Sequence, residues 1–136
     1  MPRSAPLDRN LSGSLEQRFP PESRSASEAR AFVLAAGWSD DAETNLRLAT
    51  VVSEVVTNAI LHARTAFLVT VILKAETIRV AVRDNSAALP VRREYQNLEP
   101  TGRGLHIVDA LADRWGVEEE PGGKTVWFEL ERENAA

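Results

Sequence analysis

Two β-branched runs, Phe67-Leu68-Val69-Thr70-Val71-Ile72-Leu73 and Thr77-Ile78-Arg79-Val80-Ala81-Val82-Arg83, are separated only by Lys74-Ala75-Glu76. Such runs favour strands, and a link this short joins antiparallel neighbours, because a parallel return needs a crossover of about a dozen residues. In the second run Ile78, Val80 and Val82 alternate with Arg79, Ala81 and Arg83. One face of this hairpin is therefore buried and the other partly wet.

The covering layer is legible upstream. Pro20-Pro21 stops a short edge strand over 14–19, and Ser23 or Ser25 can cap a helix reaching about Ala36, which Gly37 ends. Ser39-Asp40-Asp41 opens a second helix, where acidic residues suit the N-terminus. Leu46, Leu48, Val52, Val55, Val56 and Ala59 give that helix a broad apolar face and predict that it runs to about His62. Downstream, residues 85–101 read as a long loop, a length more common in lids and binding segments than in plain connectors. A helix over 105–111 and a closing hairpin, 115–120 with 125–130 across Pro121-Gly122-Gly123, complete the chain. The order predicts an α+β, two-layer sandwich with helices on one face of a mixed, mostly antiparallel sheet. Residues 1–13, rich in Pro, Ser, Arg and Gly, read as a mobile segment, 14–131 as a single domain and 132–136 as a tail.

The chain has 136 residues, 43% of them apolar, enough for one core. Its formal charge is −4, and its basic residues form no run longer than Arg92-Arg93, which argues against direct nucleic-acid binding. With no cysteine, disulfides and zinc-thiolate sites are excluded. There is no apolar leader and no run near the ~18 apolar residues of a membrane span, so a cytoplasmic protein without membrane contact is expected.

Several residues could carry chemistry. Glu54 and Asn58 lie one helical turn apart on the second helix, with Arg47 and His62 near the same stripe. An Asn oxygen can ligate Mg²⁺, and a nearby Glu can accept a proton from an attacking hydroxyl. The same stripe also reads as the solvated face of an amphipathic helix. Asp84 ends a strand, where it could accept from an amino group such as adenine N6 or serve as an ordinary turn aspartate in Asp-Asn-Ser. Gly102-Arg103-Gly104 precedes a helix whose N–H groups could face an anion, or is simply a flexible helix start. Gly122-Gly123-Lys124-Thr125 is not a P-loop: position 118 is Glu, and a strand pattern follows rather than a helix. His62 reads as a capping or packing residue, and Trp38, Trp115 and Trp127 as core or edge aromatics.

Taken in order, E-V-V-T-N-A (54–59), D-N-S (84–86), G-R-G-L-H-I-V (102–108) and G-K-T-V-W (123–127) resemble the N box, G1 box, G2 box and final Thr-bearing strand of the GHKL (Bergerat-fold) ATP-binding superfamily. Within it, the chain is similar to the anti-sigma-factor serine/threonine kinases and related actinobacterial regulators. The resemblance spans about Pro20 to Leu130. It implies ATP and Mg²⁺ as cofactors, Glu54 as general base or as the residue polarising the nucleophile, Asn58 as the Mg²⁺ ligand and Asp84 as the reader of the adenine amino group, with Thr125 supporting it directly or through water. It further implies that Gly102, Arg103, Gly104 and Leu105 lie along the phosphates and that 85–101 is a short ATP lid. One departure stands out: the usual Asp-x-Gly-x-Gly of the G1 box is Asp84-Asn85-Ser86-Ala87-Ala88, without either glycine.

The implied activity is phosphorylation of a Ser or Thr on a small antagonist protein, coupled to sequestration of a sigma factor. Two alternatives remain: a non-catalytic protein–protein module with a degenerate nucleotide site, and a histidine-kinase-type catalytic domain acting in trans. Homodimerisation stays open, as does the partner surface.

Overall fold

The computed structural model describes residues 13–86 and 103–132, with residues 103–105 described by backbone alone. The expected mobile segment up to residue 12, most of the expected lid, Gly102 and the end of the tail lie outside the described residues, while Gly13, expected in that segment, opens the first strand.

Five strands form one sheet: β1 (Gly13–Phe19), β2 (Phe67–Leu73), β3 (Thr77–Asp84), β4 (Arg114–Glu120) and β5 (Gly123–Glu131). Their spatial order is β1-β2-β3-β5-β4, and each neighbouring pair is antiparallel. The sheet is thus wholly antiparallel among the described residues, rather than mixed. The short β2–β3 and β4–β5 links dictate two of the pairings. The helical segments then return β5 beside β3 and put β1 on the far edge.

Register decides which residues face the helices. Phe67, Val69, Val71 and Leu73 stand opposite Asp84, Val82, Val80 and Ile78. Val80 and Val82 in turn meet Phe128 and Val126. All of these side chains are buried, whereas Leu68, Thr70, Ile72, Arg79, Ala81, Arg83, Thr125, Trp127 and Glu129 on the other face are only partly covered. This is the alternation expected from the second β-branched run.

Among the described residues three α-helices cover the buried face: α1 (Arg24–Leu34), α2 (Ala42–Asn58) and α3 (Arg103–Leu111). Leu48, Val51, Val52, Val55 and Val56 of α2 are buried in the core with Ala29 and Val33 of α1 and Val108 of α3. At ~1.5–3 kcal/mol for each buried Val or Leu, this stripe of α2 supplies much of the drive for closing the two layers. Asp41 caps α2, its Oδ2 accepting from Thr44 N at 2.8 Å and Thr44 Oγ1 at 2.7 Å. At α1 the expectation is half met. Ser23 occupies the N-cap but its hydroxyl makes no capping bond, while buried Ser25 donates to the Pro20 carbonyl at 2.7 Å. Gly37, at φ +71°, turns the chain out of the helix.

The end of α2 departs from simple continuation. The α-helix stops at Asn58, and Ala59–Ala63 form a π-helical turn closed by Arg64 in the left-handed region at φ +59°. Inserted π turns are uncommon and concentrate at functional sites.

Candidate functional site

The π turn packs against β3, so the end of α2 meets the end of that strand. Asn85 N donates to Thr65 Oγ1 at 3.1 Å, tying the residue after β3 to the segment that leaves the π turn. Asn58 and Asp84, 26 positions apart in the chain numbering, are therefore carried by two elements joined at this corner.

Glu54 and Asn58 are half-buried on the last two turns of α2. The Glu54 side chain makes no hydrogen bond or ion pair among the described residues. Asn58 Nδ2 is buried and also lacks a partner among them. A buried amide without a partner costs about 1–3 kcal/mol, so its retention calls for a partner beyond the described residues.

Asp84 is not an exposed turn residue. It is 2% exposed, and so is Lys124, directly opposite on β5. Lys124 Nζ lies 2.8 Å from Asp84 Oδ2, and Asp84 Oδ1 accepts from Ser86 N at 2.9 Å. Both carboxylate oxygens are thus already engaged within the protein, one by the ion pair and one by a backbone hydrogen bond. Gly123 permits the close strand approach beside this pair, since a Cβ there would collide with the Asp84 carbonyl oxygen.

Thr125 does not support Asp84. In the register it stands opposite Arg83 and Glu118, on the other face of the sheet. The residue brought to Asp84 is Lys124, which the sequence reading left in a turn. The signal was available: counting back by twos from Leu130, Phe128 and Val126 puts position 124 on the buried face, where a lysine requires an acid. The turn itself is as expected, with Gly122 at φ +81° and a strand, not a helix, after it.

Arg47 is not part of the Glu54 cluster. Its Nε donates to the Leu111 carbonyl at 2.9 Å and a guanidinium nitrogen meets Asp113 Oδ2 at 2.9 Å. It thereby satisfies the C-terminus of α3 and clamps that helix to α2. Arg103, Gly104 and Leu105 form the first turn of α3, which thus begins two residues before the expected start at 105, with their backbone alone described. His62 is exposed in the π turn, and His106 is exposed on α3. Trp38 is buried and Trp115 donates to Asp109 Oδ1 at 2.9 Å.

Charge on the open face of the sheet is organised separately. Glu129 is held between Arg114 and Arg79, at 2.8 and 3.0 Å. The Arg114 hydrogen bond, and after it that of Arg79, keeps the Glu129 carboxyl below its ordinary range against the opposing effect of burial. Arg79 also stacks over Trp127, 4.1 Å from the ring centroid.

Among the described residues no helix is long and apolar enough to cross a membrane, and no group of three or more His, Asp or Glu is arranged to hold a metal. A cation at Asn58 would have to draw most of its ligands from phosphate and water, which is how Mg²⁺ ordinarily binds.

The fold is shared with solved structures. The RsbU and RsbW domains of Rv1364c from Mycobacterium tuberculosis align over 87% of this chain and 31% of that one, at 18% identity and a TM-score of 0.65. The histidine kinase domain of the blue-light activated histidine kinase EL346 from Erythrobacter litoralis aligns over 82% of this chain and 61% of that one, at 22% identity and a TM-score of 0.52. This chain therefore spans less than two thirds of either. No curated protein matches it by sequence. The model of the histidine kinase-like ATPase domain matches residues 19–130, and the chain belongs to that family.

Proposed function

We propose that this protein is a Mg-ATP-dependent regulator that phosphorylates a Ser or Thr hydroxyl of a small antagonist protein and sequesters a sigma factor. Membership of the histidine kinase-like ATPase family supports an ATP-binding, kinase-like regulatory role. The observation that carries the nucleotide site is Asn58, whose buried amide has no partner among the described residues, one turn beyond an unpaired Glu54. Such a pair fits a ligand better than it fits a folding role.

In this reading Mg-ATP supplies the phosphoryl group. Asn58 would help to hold the cation, and the first turn of α3, with Gly102 before it in sequence, would offer N–H groups to the phosphates. Glu54 would orient the acceptor hydroxyl and take its proton as that oxygen bonds to the γ-phosphorus and the bond from the γ-phosphorus to the departing ADP breaks. The roles assigned to the protein are thus positioning and charge placement. Glu54→Ala tests the scheme: transfer to the cognate antagonist is lost while nucleotide binding persists. Unchanged transfer would remove Glu54 from the chemistry.

A second reading, a regulatory module without phosphotransfer, is favoured by Asp84, whose carboxylate is already engaged by Lys124 and Ser86. It predicts that wild-type protein binds its antagonist and never phosphorylates it.

A further inference from the structure

The pairing of Asp84 with Lys124 has a consequence for which nucleotide this site prefers, and it rests on the nucleotide reading above. A site rejects a ligand lacking a donor when its own acceptor is then left buried and unpaired. Asp84 is never in that position here. Its Oδ2 faces Lys124 Nζ at 2.8 Å, its Oδ1 accepts from Ser86 N, and both charged side chains are 2% exposed.

The pair is held by the fold rather than by a loop. Asp84 and Lys124 are register partners on adjacent antiparallel strands, and Gly123 allows the two backbones to close beside them. Buried ion pairs seldom stabilise more than apolar residues of similar size, so stability alone is a weak reason for its presence. Its chemical effect is definite. A bare carboxylate at the end of β3 becomes a neutralised one, matched inside the protein.

We infer that Lys124 is a specificity-determining residue that removes the preference for an amino purine. Nucleoside triphosphates then bind mainly through their phosphates, and loss of the base amino group leaves no buried acceptor unpaired. Replacing Lys124 by a small neutral residue frees Asp84 and installs adenine selectivity.

The test needs only wild-type protein in its first arm. ATP, and ITP, which has a keto oxygen where adenine has its amino group, are titrated with Mg²⁺ by calorimetry. The expected dissociation constants agree within about threefold. In Lys124→Thr, ATP is expected to be favoured over ITP by about tenfold or more, the scale of one hydrogen bond to a charged group. A wild type that prefers ATP by more than about threefold overturns the inference and leaves the nucleotide site standing. Equal ATP and ITP affinities in a folded Lys124→Thr protein overturn it as well. Failure of every triphosphate to bind either folded protein overturns both the inference and the nucleotide reading. Should Lys124→Thr not fold, the wild-type ratio decides alone.

Discussion

Removing Lys124 while keeping Asp84 is the most informative perturbation of this fold. In Lys124→Met the apolar stem is preserved, but the carboxylate, 2% exposed, loses its ion-pair partner and keeps the hydrogen bond from Ser86 N. Breaking one side of a buried pair costs about 3–5 kcal/mol, a large part of the ~5–15 kcal/mol that stabilises a domain. At roughly 3 °C per kcal/mol for a chain of this size, the melting temperature should fall by about 10 °C. The double variant Asp84→Asn, Lys124→Met removes both charges and should recover about half of the loss or more. Urea denaturation of the wild type, both single variants and the double variant gives the coupling energy directly. A single-variant cost below about 1 kcal/mol, or a double variant at least as unstable as the sum of the singles, would refute the buried-pair account.

Other consequences are equally direct. Arg47→Ala removes the donors to Leu111 and Asp113 and should cost about 1–2 kcal/mol in urea denaturation, with amide exchange rising first at the end of α3. Asn58→Ala should leave the melting temperature unchanged or slightly higher, because its amide nitrogen has no partner to lose among the described residues, while Mg-nucleotide binding is lost. The Asp41 carboxyl is held below its ordinary 3.8, first by the Thr44 hydroxyl and then by the Thr44 N–H. A depressed carboxylate stabilises the fold above its unfolded value and loses that contribution as pH falls through the folded one. The melting-temperature gap between wild type and Asp41→Ala should thus be full at pH 6 and shrink below about pH 4.

What could be read from the chain follows from the range of the forces involved. The β2–β3 hairpin and the apolar stripe of α2 are written in local periodicity, and so the layers and their order were accessible. That each described pairing is antiparallel is a property of the assembled sheet, which hairpin signals specify only for β2–β3 and β4–β5. The π turn after Asn58 lies inside an apolar pattern that reads as continuous helix, because one extra residue per turn hardly alters periodicity over five positions. Glu54 and Asn58 were found because they share one helix face. The ion pair at Asp84 was missed because it joins residues on two strands, and only the register of β3 on β5 brings Lys124, not Thr125, to that side. Arg47 was placed with Glu54 by the same helix-face reasoning, whereas a distant chain segment, Leu111 to Asp113, captures it.

The central claim is that the end of α2, at its corner with β3, binds a magnesium nucleotide. Calorimetric titration of ATP and ADP into wild-type protein and Asn58→Ala, each with and without Mg²⁺, tests it most directly. The account predicts Mg²⁺-dependent binding to the wild type and none to the folded variant. No binding to the wild type at millimolar nucleotide, or equal binding to both proteins, would contradict it.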